Sequence, residues 1–147
     1  MSIELYCDGH PDDGVEWTMR LHWTRTVGLE ATLRRLGVDD HLAAKPFSNA
    51  TIRYPGLNEE SGTATLSPDG PRITAEECQA IADQLRDISP DQARDALTEA
   101  RKLIARQTNR EAEEPSDDDV HSWMKVVRDY ASFCERSAKH GGLISIG

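Results

Sequence analysis

The chain has 147 residues, 17 basic against 26 acidic, and a formal net charge of -9 at neutral pH. Its mean hydropathy is -0.61 and 37% of its residues are apolar, with no apolar run near the roughly 18 residues that a membrane-spanning helix needs. That length suits a single domain, 1–147, able to bury roughly 70% of its unfolded surface. The negative charge disfavours general binding to nucleic-acid phosphates and fits solubility or a basic protein partner.

Residues 2–7, SIELYC, alternate Ile3, Leu5 and Cys7 with Ser2, Glu4 and Tyr6, which predicts a short strand. Residues 15–23, VEWTMRLHW, alternate more strictly, with Val15, Trp17, Met19, Leu21 and Trp23 on one face, and predict a half-buried antiparallel strand. The intervening CDGHPDDG is then a hairpin loop. From Thr24 the period changes: Val27, Leu29, Leu33 and Leu36 suit a short helix that Gly37 ends as a left-handed cap. DDHLAAKPFSN reads as loop, and ATIRYPG and GTATLS as two short strands.

Three helices follow. Thr74 with Glu77 forms a capping box, Ile73 is placed to staple onto Cys78, and Cys78, Ile81, Ala82, Leu85 and Ile88 make a buried stripe. Ser89-Pro90 starts a second helix, to about Arg106, with Ala93, Ala96, Leu97, Ala100, Leu103 and Ile104 on its apolar side. Residues 107–116 read as an acidic loop or linker inside the domain. Ser116 caps the longest helix, whose Val120, Trp123, Met124, Val127, Ala131, Cys134 and Ala138 recur at helical spacing, widened by Tyr130 and Phe133. Gly141-Gly142 stops it, and LISI reads as a final strand. The expected class is α+β: a small antiparallel-rich sheet with an N-terminal hairpin, packed by three to four helices and closed by the C-terminal strand.

The stretch LSPDGPRITAEECQAIADQLRDI and the ending YASFCERSAKHGGLISIG resemble a group of small, uncharacterised bacterial proteins that share a Thr-x-Glu-Glu-Cys type helix start and a closing Phe-Cys helix before a terminal strand. The likeness covers residues 66–88 and 130–147. It implies a related fold and a bacterial origin, and it brings no activity and no functional residue with it. Arginine in excess of lysine and abundant alanine point the same way, to a bacterium or one of its phages.

Several side chains are candidates for chemistry. Cys7, His10, Asp12 and Asp13, with Asp8, are possible metal ligands, but a structural zinc site needs a second cluster and a calcium loop needs a different spacing. Gly9, Pro11 and Gly14 beside those aspartates make a polar turn the favoured reading. Cys134 and His140 could pair as thiol and imidazole, although the cysteine falls on the buried stripe and the histidine beyond the helix end. His22 is a lone polar-face histidine. Trp17, Trp23 and Trp123 fall on predicted core faces. No catalytic motif is present, no catalytic or cofactor-binding residue is assigned and no cofactor is expected.

The carboxylates Glu111, Glu113, Glu114, Asp117, Asp118 and Asp119 are candidate partner-binding residues, and the last three also suit a helix N-terminus. Three cysteines form an odd set, with Cys78 and Cys134 expected to be buried and Cys7 the most accessible, and MSIELYCDG lacks a signal-like start. A cytoplasmic location follows as an expectation. The function expected is that of a non-catalytic acidic protein acting through protein–protein contact, as an inhibitor, an immunity protein or an accessory factor. The alternatives are a small metal-dependent protein or enzyme built on the Cys7/His10 loop, and a structural subunit of a larger assembly.

Overall fold

A computed structural model describes residues 2–7, 18–39, 42–43, 45–47 and 72–146. The strands expected in 50–56 and 62–67, the turn carrying His10, Asp12 and Asp13, and Trp17 lie outside the described residues. Helices and antiparallel strands are mixed, as the α+β reading expects.

Strand β1 (Ser2–Cys7) pairs antiparallel with β2 (Thr18–His22), Leu5 facing Met19 and Glu4 facing Arg20. Its other edge pairs with β4 (Leu143–Ile146), Cys7 facing Leu143, and β4 pairs in turn with β3 (Arg72–Ile73), Leu143 facing Ile73. The order is β2-β1-β4-β3. Because side chains opposite each other in register share a face, Leu5, Cys7, Leu21, Ile73 and Leu143 form one buried layer. On the opposite face an ion pair joins Arg20 to Glu4 at 3.0 Å.

The strand predicted to run through Trp23 ends one residue earlier. The extended His22 becomes the N-cap of α1 (Trp23–Arg35), its side chain accepting from the Thr24 N–H at 3.4 Å. Alternation over 15–23 hides this start because the cap and the first helical residue are only its last two positions. Gly37, at φ +84°, follows the helix end as expected. Where 39–49 reads as plain loop, Lys45–Phe47 form a 3-10 turn that seats Phe47 in the core, its ring centroid 5.7 Å from that of Tyr130.

Helix α2 (Ala75–Leu85) begins with the expected capping box: Thr74 Oγ1 accepts from the Glu77 N–H at 3.1 Å and Glu77 accepts from the Thr74 N–H at 3.0 Å. Lys45 Nζ grips both oxygens of Glu77, at 2.8 and 3.0 Å. Burial alone would raise the Glu77 carboxyl, but Lys45 and the Thr74 N–H outweigh it and the net shift is downward. This contribution to stability is present above the unfolded carboxylate pKa and is lost as pH falls through the lower folded value. Helix α3 (Pro90–Thr108) repeats the cap design with Ser89 and Gln92 and runs to Thr108, so Gln107 and Thr108 are helical rather than loop. Helix α4 (Asp117–Ala138) is followed by Gly141 and Gly142, both at positive φ. A Cβ on Gly142 would collide with the Ile73 carbonyl, so the chain can enter β4 beside β3 only without a side chain there.

The core joins the inner sheet face to α1, α2 and α4. Helix α3 approaches α1 through Ala100 and Leu103 against Val27 and Ala31. The tie between α4 and α1 is Trp123. Its indole lies over Gly28, where an added Cβ would overlap Cη2 and stand 2.7 Å from Cζ2. The indole N–H donates to Thr32 Oγ1 at 3.2 Å, and that hydroxyl donates to the Gly28 carbonyl at 2.7 Å, all within the interior. Gly28→Ala therefore opposes helix propensity. Although alanine favours a helix interior by about 1 kcal/mol, overlap with Trp123 should produce a net loss of about 1–3 kcal/mol, read as a lower urea midpoint. A variant at least as stable as the parent would disprove this packing.

Candidate functional site

A run of exposed carboxylates lies where α3 hands over to α4. Helix α3 stops at Asn109, which adopts the left-handed conformation at φ 53°. Residues 110–116 then run without regular structure to Ser116, the N-cap of α4. Two arginines of α3 hold this segment by its backbone carbonyls. Arg101 donates to the Glu113 carbonyl at 3.3 Å, and Arg94 donates to the Pro115 carbonyl at 2.8 Å. The same two guanidinium groups pair with carboxylates of the next helix, Arg94 with Asp117 and Arg101 with Asp119 at 3.0 Å. Pro115 is buried.

These contacts divide the six candidate carboxylates. Asp119 closes a capping box, accepting from the Ser116 N–H at 3.0 Å while Ser116 Oγ accepts from the Asp119 N–H at 3.1 Å. The Ser116 N–H, with Arg101, holds the Asp119 carboxyl below its ordinary range. Asp117 is paired with Arg94, although its side chain is 96% exposed. Glu111, Glu113, Glu114 and Asp118 point outward and make no ion pair among the described residues. The segment, an acidic strap, is tethered through two carbonyls and presents four carboxylates without an ion pair among the described residues. Sequence reasoning found the carboxylates and missed the clamp; the available signal was Arg94 and Arg101, seven residues apart and hence on one face of α3.

Beside the strap, a cleft of about 230 Å³ opens between α1, α3 and α4. Leu97, Val126 and Trp123 supply its apolar lining, and Arg25, Arg101, Asp119 and Ser122 its polar lining.

The other candidates are placed as follows. All three thiols are buried and unbridged. Cys7, predicted to be the most accessible, is 1% exposed. It lies in a central strand, paired on the β4 side, with its side chain in the layer covered by helices, so nearness to a turn does not expose it. Burial, reinforced by Glu77, pushes the Cys78 thiol up to about 12. Burial also raises Cys134 and Tyr130 well above their usual ranges. His140 is exposed beyond the end of α4, whereas Cys134 is interior. His22 serves as a helix cap. His10, Asp12 and Asp13 lie outside the described residues, and among the described residues no three His, Cys, Asp or Glu side chains converge as a metal site. Among them, too, no helix is long and apolar enough to cross a membrane.

No family model, curated protein or solved structure matches the chain.

Two outcomes follow from these placements. A thiol reagent of ordinary size should modify none of Cys7, Cys78 and Cys134 rapidly in the native protein and all of them after denaturation; fast native labelling of Cys7 would contradict the burial of β1. Arg94→Ala combined with Arg101→Ala should leave the melting temperature little changed, because exposed ion pairs contribute little, yet accelerate cleavage after Glu111 or Glu113 by a glutamate-specific protease. Unchanged cleavage would mean that the arginines do not hold the strap.

Proposed function

We propose that this chain is a non-catalytic acidic binding protein of bacterial or phage origin. It acts through protein–protein contact as an inhibitor, immunity protein or accessory factor, from a single α+β domain whose C-terminal strand closes a sheet packed by its helices. The observation that supports this most is the acidic strap, tethered through its Glu113 and Pro115 carbonyls. Four free carboxylates on a tethered backbone lose little freedom when a basic surface docks, so the ordering cost of association is low. The net charge of -9 adds long-range attraction, which accelerates encounter with a basic partner and weakens as salt rises.

The test compares the parent chain with a variant carrying Glu111→Gln, Glu113→Gln and Glu114→Gln. Each is used as bait in extracts of the source organism at low and at raised salt. The variant should keep the parent melting temperature, because all three side chains are exposed. Basic proteins retained by the parent at low salt should be depleted with the variant, and the difference should shrink at physiological ionic strength, where exposed charges are screened beyond about 8 Å. Identical retained sets for the two baits at low salt would refute the reading.

A further inference from the structure

We propose that the cleft between α1, α3 and α4 is the anchor pocket of this interaction. It takes one apolar side chain of the protein partner together with an adjacent partner carboxylate that pairs with Arg25. This rests on the protein-binding reading above and specifies the chemistry of the contact.

Size is the first argument. At about 230 Å³ the cleft lies below the roughly 300 Å³ at which small-molecule pockets begin, and it suits a single buried side chain of the kind that anchors protein interfaces. Its lining is the second. Leu97 and Val126 are partly exposed apolar side chains beside the buried Trp123, so an incoming apolar group would complete their burial. Charge is the third. The cleft holds two guanidinium groups, and only one has a partner: Arg101 is held by Asp119 and by the Glu113 carbonyl. Arg25 is exposed and makes no hydrogen bond or ion pair among the described residues. The first turn of α1 contains no acidic residue, and the helix dipole there adds to the Arg25 charge instead of offsetting it. Because the Asp119 carboxylate in the lining is taken up by Arg101, the Arg25 guanidinium remains unpaired among the described residues, in a cleft with one apolar wall beside the acidic strap. The complement is a basic partner segment that carries one carboxylate next to its apolar anchor.

The probes are two capped peptides, Ac-Lys-Lys-Phe-Glu-Lys-NH2 and its glutamine counterpart Ac-Lys-Lys-Phe-Gln-Lys-NH2. Each is titrated into the full-length ¹⁵N-labelled chain, with shifts followed at the amides of Ser122, Val126 and residues 111–114. The glutamine peptide is the more positive, so overall attraction to this acidic protein favours it. The anchor predicts the opposite order. The glutamate peptide should shift Ser122 and Val126 and bind about two- to fivefold more tightly, the range of an exposed ion pair. Arg25→Ala should abolish that preference without changing the melting temperature, and Arg25→Lys should retain part of it. The Glu111→Gln, Glu113→Gln, Glu114→Gln variant should weaken both peptides while leaving the preference intact. The anchor is overturned if Ser122 and Val126 do not shift with either peptide, if the glutamine peptide binds as tightly, or if the preference survives Arg25→Ala. Shifts confined to 111–114 would remove the anchor and leave the acidic-strap reading standing.

Discussion

The rest of the molecule depends on one buried contact, the indole of Trp123 laid on α1 where Gly28 has no side chain. A large ring meets bare backbone there, and its N–H, which would cost about 1–3 kcal/mol if buried unpaired, finds the Thr32 hydroxyl. That hydroxyl is itself satisfied by the Gly28 carbonyl one turn back. Contact and hydrogen bonds therefore require the same rotation and the same height of α4 along α1. The requirement passes outward. Helix α1 follows β2 directly through the His22 cap, which ties it to the sheet, and its other side packs on α3 through Val27 and Ala31. Helix α3 is close because alanines occupy much of its buried face and leave little side-chain bulk between the axes.

The position of α3 in turn determines the electrostatics. Arg94 and Arg101 face the start of α4 and the segment leading into it, and each guanidinium binds one backbone carbonyl and one carboxylate. An arginine can do this because its planar fork offers several donors at fixed angles. The arginines neutralise Asp117 and Asp119 and leave Glu111, Glu113, Glu114 and Asp118 facing solvent. The negative surface is thus a product of helix packing as well as of composition. It is held in place by cations that contribute little to the field outside.

The interior departs from such pairing at two hydroxyls: the fully buried Tyr130 hydroxyl has only the Cys134 thiol beside it, and Ser137 Oγ, about two turns further along the same face of α4, meets no hydrogen-bond partner among the described residues. Two such hydroxyls on the inner face of one helix reduce the stability that its apolar stripe provides. The thiols of Cys78 and Cys134 lie near Tyr130 in the same interior. Raised by burial, they remain protonated and behave as small apolar groups.

Much of the helical half was legible from the chain. Thr74 with Glu77, Ser89 with Pro90, and Ser116 with Asp119 announce helix starts by local chemistry, and the stripes from Cys78 to Leu85 and from Val120 to Cys134 identify the buried faces by periodicity alone. These features are encoded within a few residues, so no distant partner is needed to read them. The same holds for the alternation of Leu5, Met19 and Leu21, and for the set of six carboxylates. What only the tertiary structure decided involves residues far apart in sequence. That Cys7 is buried follows from the pairing of β1 with a strand near residue 143, not from its place beside a turn. That residues 110–116 are tethered follows from arginines on a helix already completed, and the cleft at Arg25 forms where α3 and α4 meet α1. Local sequence determined which segments become helix and which faces are apolar, because caps and periodicity act over one or two turns; the site was decided by tertiary packing, because its charges and its apolar wall come from three helices that meet only when the core forms.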